Sequence, residues 1–339
     1  MKCIRTEDAV GHVLCHDMTQ IIPGVSKGPR FRKGHVVTEE DIPVLLSMGK
    51  ENLFVWEMEP GMVHENDAAE RLAALCGREN MTWSETKEGK IELKSAIEGV
   101  FLVDSARLFA VNSIDELMIA TRRGGGTVHP GDKLAGTRVI PLIIREEKLR
   151  QAEQAAGSAP LLSVRPFVRR TAAVITTGSE VAKGRIPDSF TPVVERKLAA
   201  FGIRMSEHIL VEDGQENVLE AIEQMKRRPV DMILCTGGMS VDPDDSTPGA
   251  IKASGADIVT YGAPVLPGAM FLLGYYGDGR PVMGLPGCVM YAKATIFDLV
   301  LPRIAADVRL EKRDFVAFGE GGLCLGCESC TYPHCGFGR

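Results

Sequence analysis

Apolar positions across residues 168–308 follow two alternating rhythms. Residues 172–176 and 230–235 are short apolar runs, which suits buried strands, and 203–211 reads as a further strand. Between them, 189–201 sets Val194, Leu198 and Phe201 near helical spacing and stops at Gly202. Residues 216–228 set Val218, Ile222 and Met225 on one helical face and stop at Pro229. Beyond these, 247–254 predicts a short helix and 289–304 one long final helix. Residues 270–276 and 281–285 predict a hairpin around Gly277-Asp278-Gly279. Strands alternating with helices predict a largely parallel sheet covered on both faces, hence an α/β class.

The first 160 residues are less regular. Thr38 before Glu39-Glu40-Asp41 predicts a helix through Ile42, Leu45 and Leu46, stopped by Gly49. Asn66 or Asp67 starts another, with Ala69, Leu72 and Leu75 inward and Gly77 as the stop. Ser113 with Glu116 has capping-box spacing and predicts a third helix, ended by Gly124-Gly125-Gly126. Residues 127–132 predict strand and turn, 139–144 a further strand, and 146–156 a charged helical linker. Three parts result: an N-terminal α+β, β-rich region at 1–160, the α/β domain at 168–308, and a Gly- and Cys-rich tail at 309–339.

Composition supports a globular chain. Of 339 residues, 45% are hydrophobic and 25% charged, near the soluble average. No run approaches the ~18 apolar residues of a membrane span, and the first residues lack a signal-peptide pattern. A cytoplasmic setting without membrane partners is expected. The net charge of −6 gives no footprint for nucleic acid.

In an open α/β sheet, ligands bind at the carboxyl ends of the strands. Three loops there carry glycine: Thr177-Gly178-Ser179-Glu180, Thr236-Gly237-Gly238-Met239-Ser240, and Pro286-Gly287-Cys288. Glycine lets backbone N–H groups come close to a phosphate. It also serves ordinary tight turns, so three such loops on one edge carry more weight than any one. Acids crowd the same loops: Glu180 and Asp188 in the first, Asp242, Asp244 and Asp245 in the second. Carboxylates beside a phosphate suit a divalent cation; a solvated, helix-capping turn is the plainer reading.

These residues resemble the molybdopterin-binding family of molybdenum cofactor biosynthesis. Gly237-Gly238-x-Ser240-x4-Asp245 is similar to the molybdopterin molybdotransferases, and Asp245-x-Thr247-Pro248 to the molybdopterin adenylyltransferases. Thr177-Gly178-Ser179-Glu180, Gly184-x-Ile186-x-Asp188-Ser189, Pro267-Gly268 and Leu285-Pro286-Gly287 resemble further molybdotransferase segments, in the same order. Gly34 to Thr38 and Leu45 to Gly49 loosely resemble their small β-rich domain. The resemblance implies a three-layer molybdopterin-binding fold. It implies ligand contacts at Thr177, Gly178, Ser179, Glu180, Ser189, Thr236, Gly237, Gly238, Met239, Ser240, Thr247, Pro267, Gly268, Pro286 and Gly287. Catalytic roles fall to Asp245, Asp188 and Asp242, with Mg²⁺ held by Asp245 and Asp188. The chain departs from the family pattern at Ser179, Phe190, Leu266 and Cys288, which replace an acid, an Asn, a Lys and another Asn.

The activity implied is insertion of molybdenum into molybdopterin, with molybdate and an adenylated intermediate as reactants. Molybdoenzymes, other cofactor-biosynthesis proteins and a second copy of the chain are the implied partners. A non-catalytic carrier of the cofactor, and a nucleotide pyrophosphatase on the same fold, are the alternatives.

The tail reads separately. Cys324-x2-Cys327-x2-Cys330-x4-Cys335 places four thiols within twelve residues. Zinc and an iron–sulfur cluster both suit such spacing, with His334 as a substitute zinc ligand. An inert, flexible tail is the alternative.

Overall fold

The computed structural model describes residues 2–22, 26–55, 60–240 and 246–338. The chain divides into two compact units. One holds Met1–Ala96, Val103–Arg122 and Pro130–Val164; the other holds Ile97–Leu102, Arg123–His129 and Arg165–Arg339.

In the first unit, strand Lys2–Arg5 pairs antiparallel with Asn52–Val55, and Met18–Ile22 pairs with Ser26–Phe31. Leu14, Met18, Phe31, Val37, Leu45 and Leu53 form their shared core. The helix expected after Thr38 is present as Asp41–Ser47, and the one expected near Asn66 as Glu65–Ala74. An antiparallel sheet of Met81–Trp83, Lys90–Ser95, Lys133–Val139 and Leu117–Thr121 follows, in that spatial order.

The helix expected from Ser113 does not form. Asp104 instead caps a helix at Ser105–Asn112, its carboxylate accepting the Arg107 N–H at 3.0 Å. Glu116 then takes a positive φ of 74°, and Leu117–Thr121 becomes a strand. Burial of Leu117 and Ile119 with Met118 and Ala120 outward is the period-2 pattern that overrides the local cap. Residues 146–156 are a packed helix, not a linker: Leu149, Ala152 and Ala156 are buried, and Glu153 accepts from Arg71 at 2.8 Å.

The second unit is built on one six-stranded sheet. Its strands are β1 (Thr171–Thr177), β2 (Arg204–Val211), β3 (Met232–Thr236), β4 (Asp257–Tyr261), β5 (Leu272–Tyr275) and β6 (Pro281–Leu285). The spatial order is β2-β1-β3-β6-β5-β4. β2, β1, β3 and β6 run parallel; β5 is antiparallel to both of its neighbours, β6 and β4, so it alone is reversed. The edge strand β4 was not anticipated from the sequence.

Helices α1 (Ser179–Ala182), α2 (Thr191–Ala199), α3 (Gln215–Lys226), α4 (Thr247–Ala253), α5 (Ile296–Ala305) and α6 (Lys312–Val316) accompany the sheet. Successive residues of β1 feed opposite cores. Ala172 and Val174 pack with Val194, Leu198 and Phe297 on one face. Ala173 and Ile175 pack with Val218, Ile222 and Ile251 on the other. The unit is thus a three-layer, mostly parallel α/β domain, as the apolar rhythm predicts.

The expected long final helix is split into a 3₁₀ turn at Gly287–Met290 and α5. Thr295 causes the break. Its hydroxyl caps Phe297 N–H while the Asp298 carboxylate accepts the Thr295 N–H, a capping box that starts a new helix.

Topology locates the crevice. The chain leaves β1 for β2 on one side and returns to β3 on the other, so β1 and β3 flank the point where strand order reverses. Ligands of open α/β sheets bind outside the carboxyl ends at that point. No helix among the described residues is long and apolar enough to cross a membrane.

Candidate functional site

Three loops meet at the carboxyl ends of adjacent strands. β1 delivers Thr177-Gly178-Ser179, β3 delivers Thr236-Gly237-Gly238, and β6 delivers Leu285-Pro286-Gly287. The register places Thr176 beside Thr236, and Thr236 beside Leu285.

The middle loop has the tightest requirement. Gly237 and Gly238 both have positive φ, 86° and 56°. A Cβ on Gly237 would lie 2.3 Å from the Thr177 carbonyl oxygen. Glycine here answers both the left-handed backbone and the close approach to β1. Thr247 at the head of α4 folds the loop back: its hydroxyl donates to Gly237 O at 2.9 Å and its N–H to Gly238 O at 3.2 Å.

The first loop is held by Asp213, a residue the sequence reading missed. Asp213 accepts the Ser179 N–H at 2.8 Å and the Thr177 hydroxyl at 3.1 Å. Burial pushes its carboxyl up, but these hydrogen bonds together hold it below the ordinary value. Its position directly after β2, on the same sheet edge, was the available signal.

Asp188 is consumed in a similar way. One carboxylate oxygen accepts the N–H groups of Phe190 and Thr191 at 2.9 and 3.0 Å, and the other accepts the Thr191 hydroxyl. Burial pushes its carboxyl up; the Thr191 and Phe190 bonds and the nearby His208 outweigh that and lower it. His208 Nε2 lies 3.1 Å from Thr191 Oγ1, 3.2 Å from Thr176 Oγ1 and 3.7 Å from Asp188 Oδ2. An isolated histidine in the sequence is therefore a member of a Thr176–Thr191–Asp188–His208 network. Only the fold, by pairing β2 with β1, makes that visible.

The remaining expected contact residues separate by burial. Glu180, Ser189, Ser240 and Gly287 are exposed at the edge. Ser189 Oγ lies 3.1 Å from Met290 Sδ, which ties the first region to the third loop. Thr236 is fully buried and its hydroxyl reaches Ile175 O at 3.5 Å, inside the sheet. The Met239 side chain lies in the core against Gly284. Pro267 and Gly268 sit at the head of α5, where Ile296 N–H donates to Pro267 O and a Cβ on Gly268 would strike Ile296. Asp242, Asp244 and Asp245 lie outside the described residues.

Among the described residues, no three His, Cys, Asp or Glu side chains group so as to hold a metal ion. The tail cysteines are accordingly not gathered into a ligand set: Cys324 and Cys335 pack half-buried against the core, while Cys327 and Cys330 are exposed. The tail is docked at its ends, not freely trailing.

One family model matches the part of the chain that carries these loops. Residues 173–306 match the family described as "Probable molybdopterin binding domain", and residues 3–57 match a domain of unknown function. A protein of Bacillus cereus (strain AH187) that carries the name competence-damage inducible protein is 33% identical over 90 residues. That match takes in 26% of this chain and 22% of the relative's length. A counterpart of that name from Bacillus anthracis has the same identity and coverage. Among solved structures, the protein CinA of unknown function from Thermoplasma acidophilum is 20% identical, with a TM-score of 0.35, covering 40% of this chain and 98% of its own. The molybdopterin biosynthesis enzyme MoaB from Thermus thermophilus is 17% identical, with a TM-score of 0.33, covering 42% and 98%.

Proposed function

We propose that this divergent molybdopterin-binding domain takes molybdopterin, or its adenylated form, in the crevice between β1 and β3 and acts in molybdenum cofactor biosynthesis as a molybdotransferase. The observation that carries the reading is the Gly237-Gly238 turn. Two successive left-handed glycines, pressed on Thr177 at the strand-order reversal, leave backbone without side chains where an anion is received. Gly287, at the end of the neighbouring strand β6, is exposed, and an added Cβ there would meet nothing within 4 Å. The phosphate of the ligand is assigned to N–H groups of these three glycines. A cytoplasmic setting suits the nine free thiols of the chain.

Mg²⁺ fits the described residues poorly. Both Asp188 oxygens are engaged in capping α2, so this carboxylate positions the loop instead of serving as a cation ligand. Asp242 and Asp245 are the acids left to that role. Loss of Asp188 as a ligand, together with Ser179 in place of an acid, favours as a second reading a carrier that binds the pterin without turnover. A nucleotide pyrophosphatase on the same fold is a third reading.

One assay separates the three. The chain is incubated with adenylated molybdopterin, molybdate and Mg²⁺, and AMP release is followed, with ADP-ribose as the competing substrate. The molybdotransferase reading expects AMP from the pterin substrate, and a loss of about 10²-fold or more in Asp245→Asn, the scale of one key electrostatic contact. Tight pterin binding without AMP selects the carrier. Turnover of ADP-ribose alone selects the pyrophosphatase.

A further inference from the structure

The four tail thiols play no part in the pterin crevice, yet the segment that bears them is closed into a loop. Gly338 N–H donates to Gly321 O at 2.8 Å, which joins its two ends. One limb is stitched to the segment between β4 and β5: Leu266 N–H donates to Gly322 O and Cys324 N–H to Leu266 O, both at 2.8 Å. The other limb rests on α5. Tyr332 donates its hydroxyl to Asp298 O at 3.0 Å, and Phe337 is buried in the core, edge-on to Tyr332 at 6.2 Å. Cys324 and Cys335 sit on these anchored limbs, half-buried.

The span between them is different. Residues 325–330 are exposed and take part in no hydrogen bond among the described residues. Leu325 is 83% exposed. Ordering such a coil costs roughly 1–2 kcal/mol per residue, and nothing described offsets it. Cys327 and Cys330 lie in this uncommitted span, between two fixed thiols.

We propose that residues 321–338 form a soft-metal site in which Cys324, Cys327, Cys330 and Cys335 bind one zinc ion or one iron–sulfur cluster as thiolates. Successive thiols among the first three are three residues apart, and a three-residue stretch of chain spans at most about 10–11 Å. The loose coil can therefore fold Cys327 and Cys330 back toward the anchored pair. A tetrahedral zinc centre needs Zn–S distances of about 2.3 Å. Four sulfur donors select zinc or iron–sulfur chemistry over a hard cation such as Mg²⁺. Binding zinc converts four thiols to thiolates and releases their four protons to solvent, so loading strengthens as pH rises. Metal binding would supply the ordering free energy that burial does not. The site is independent of the pterin reading, because none of its ligands lies on the three sheet-edge loops.

The test uses the full chain purified anaerobically, with zinc, iron and acid-labile sulfide measured per chain. The metal-free chain is also titrated with Co²⁺, whose thiolate charge-transfer absorption reports sulfur ligation. The expected result is one zinc without sulfide, or iron with matching sulfide, and a Co²⁺–thiolate band. Cys327→Ser and Cys330→Ser alter exposed side chains, so these variants should fold. Each should weaken Co²⁺ binding by more than about tenfold, since even outer-shell partners of a metal are worth 10–100-fold. Cys3→Ser, exposed and remote in sequence, should leave it unchanged. Hydrogen exchange at 325–330 should slow on loading. Metal well below stoichiometric together with no Co²⁺–thiolate band would overturn the proposal. So would unchanged affinity in both Ser variants.

Discussion

Replacing Gly237 by Ala tests whether the middle loop is built as described. Two costs add. A left-handed conformation costs an L-residue roughly 1–2 kcal/mol. The new Cβ would also sit 2.3 Å from Thr177 O, where ordinary contact begins at 3.4 Å, a shortfall of 1.1 Å by subtraction. The obstacle is backbone, and it belongs to a strand in register with β3 through Thr176 and Thr236. Relief therefore means prying β1 from β3 at the crevice, a strain of roughly 1–3 kcal/mol. The sum is a loss of about 2–5 kcal/mol, localised to the α/β unit. Of the two tryptophans, Trp83 belongs to the other unit and Trp56 lies outside the described residues, so tryptophan fluorescence is the wrong probe. Native-state hydrogen exchange at Thr171–Thr177 and Met232–Thr236 reads the loss directly. Gly287→Ala is the control: nothing lies within 4 Å of its added Cβ, so stability should change by no more than ~0.5 kcal/mol. Equal exchange free energies for wild type and Gly237→Ala would refute the loop geometry.

Other outcomes follow from the polar contacts. Asp188 has a folded-state pKa below its unfolded value, so its stabilisation is present above the ordinary ~3.9 and is lost as pH falls through the lower folded value. Asp188→Asn should flatten that acid limb and cost about 1 kcal/mol at neutral pH as a weakened cap, measured by urea denaturation at pH 3 to 7 followed by circular dichroism. Asp213→Ala strands the Ser179 N–H and Thr177 hydroxyl; limited proteolysis should then cut within 178–184 faster than in wild type. Burial pushes the thiols of Cys76 and Cys235 up to about 12, so a thiol reagent at pH 8 should modify exposed Cys3, Cys327 and Cys330 in the metal-free chain and spare both buried thiols.

Periodicity made the sheet legible wherever burial was two-sided. Residues 172–176 and 230–235 read as strands because both faces of β1 and β3 are covered. β4 escaped because an edge strand lacks that continuous apolar run, with Asp257 and Tyr261 outward. The 113–116 capping box misled because a local signal worth about 1 kcal/mol yields to sheet packing of Leu117 and Ile119. At the sheet edge, glycine spacing marked three strand-end loops, and in the middle one the positive φ of Gly237 and Gly238 is the backbone demand that leaves a trace in composition. The roles of single side chains did not. Met239 and Thr236 face inward for packing, Asp188 caps a helix, and Asp213 and His208 act through strands distant in sequence. None of those orientations has a local signature.

The central claim is that these three loops hold a pterin phosphate on backbone N–H groups. The most direct measurement is co-purification: the full chain is expressed in a molybdopterin-producing host and isolated anaerobically, and oxidised-pterin fluorescence is counted per chain. Wild type should carry pterin near one per chain. Gly287→Ala, whose fold is expected to be intact, should carry at least about tenfold less, a loss of about 1.4 kcal/mol. A folded wild-type chain without pterin, or equal loading of both proteins, would contradict the assignment.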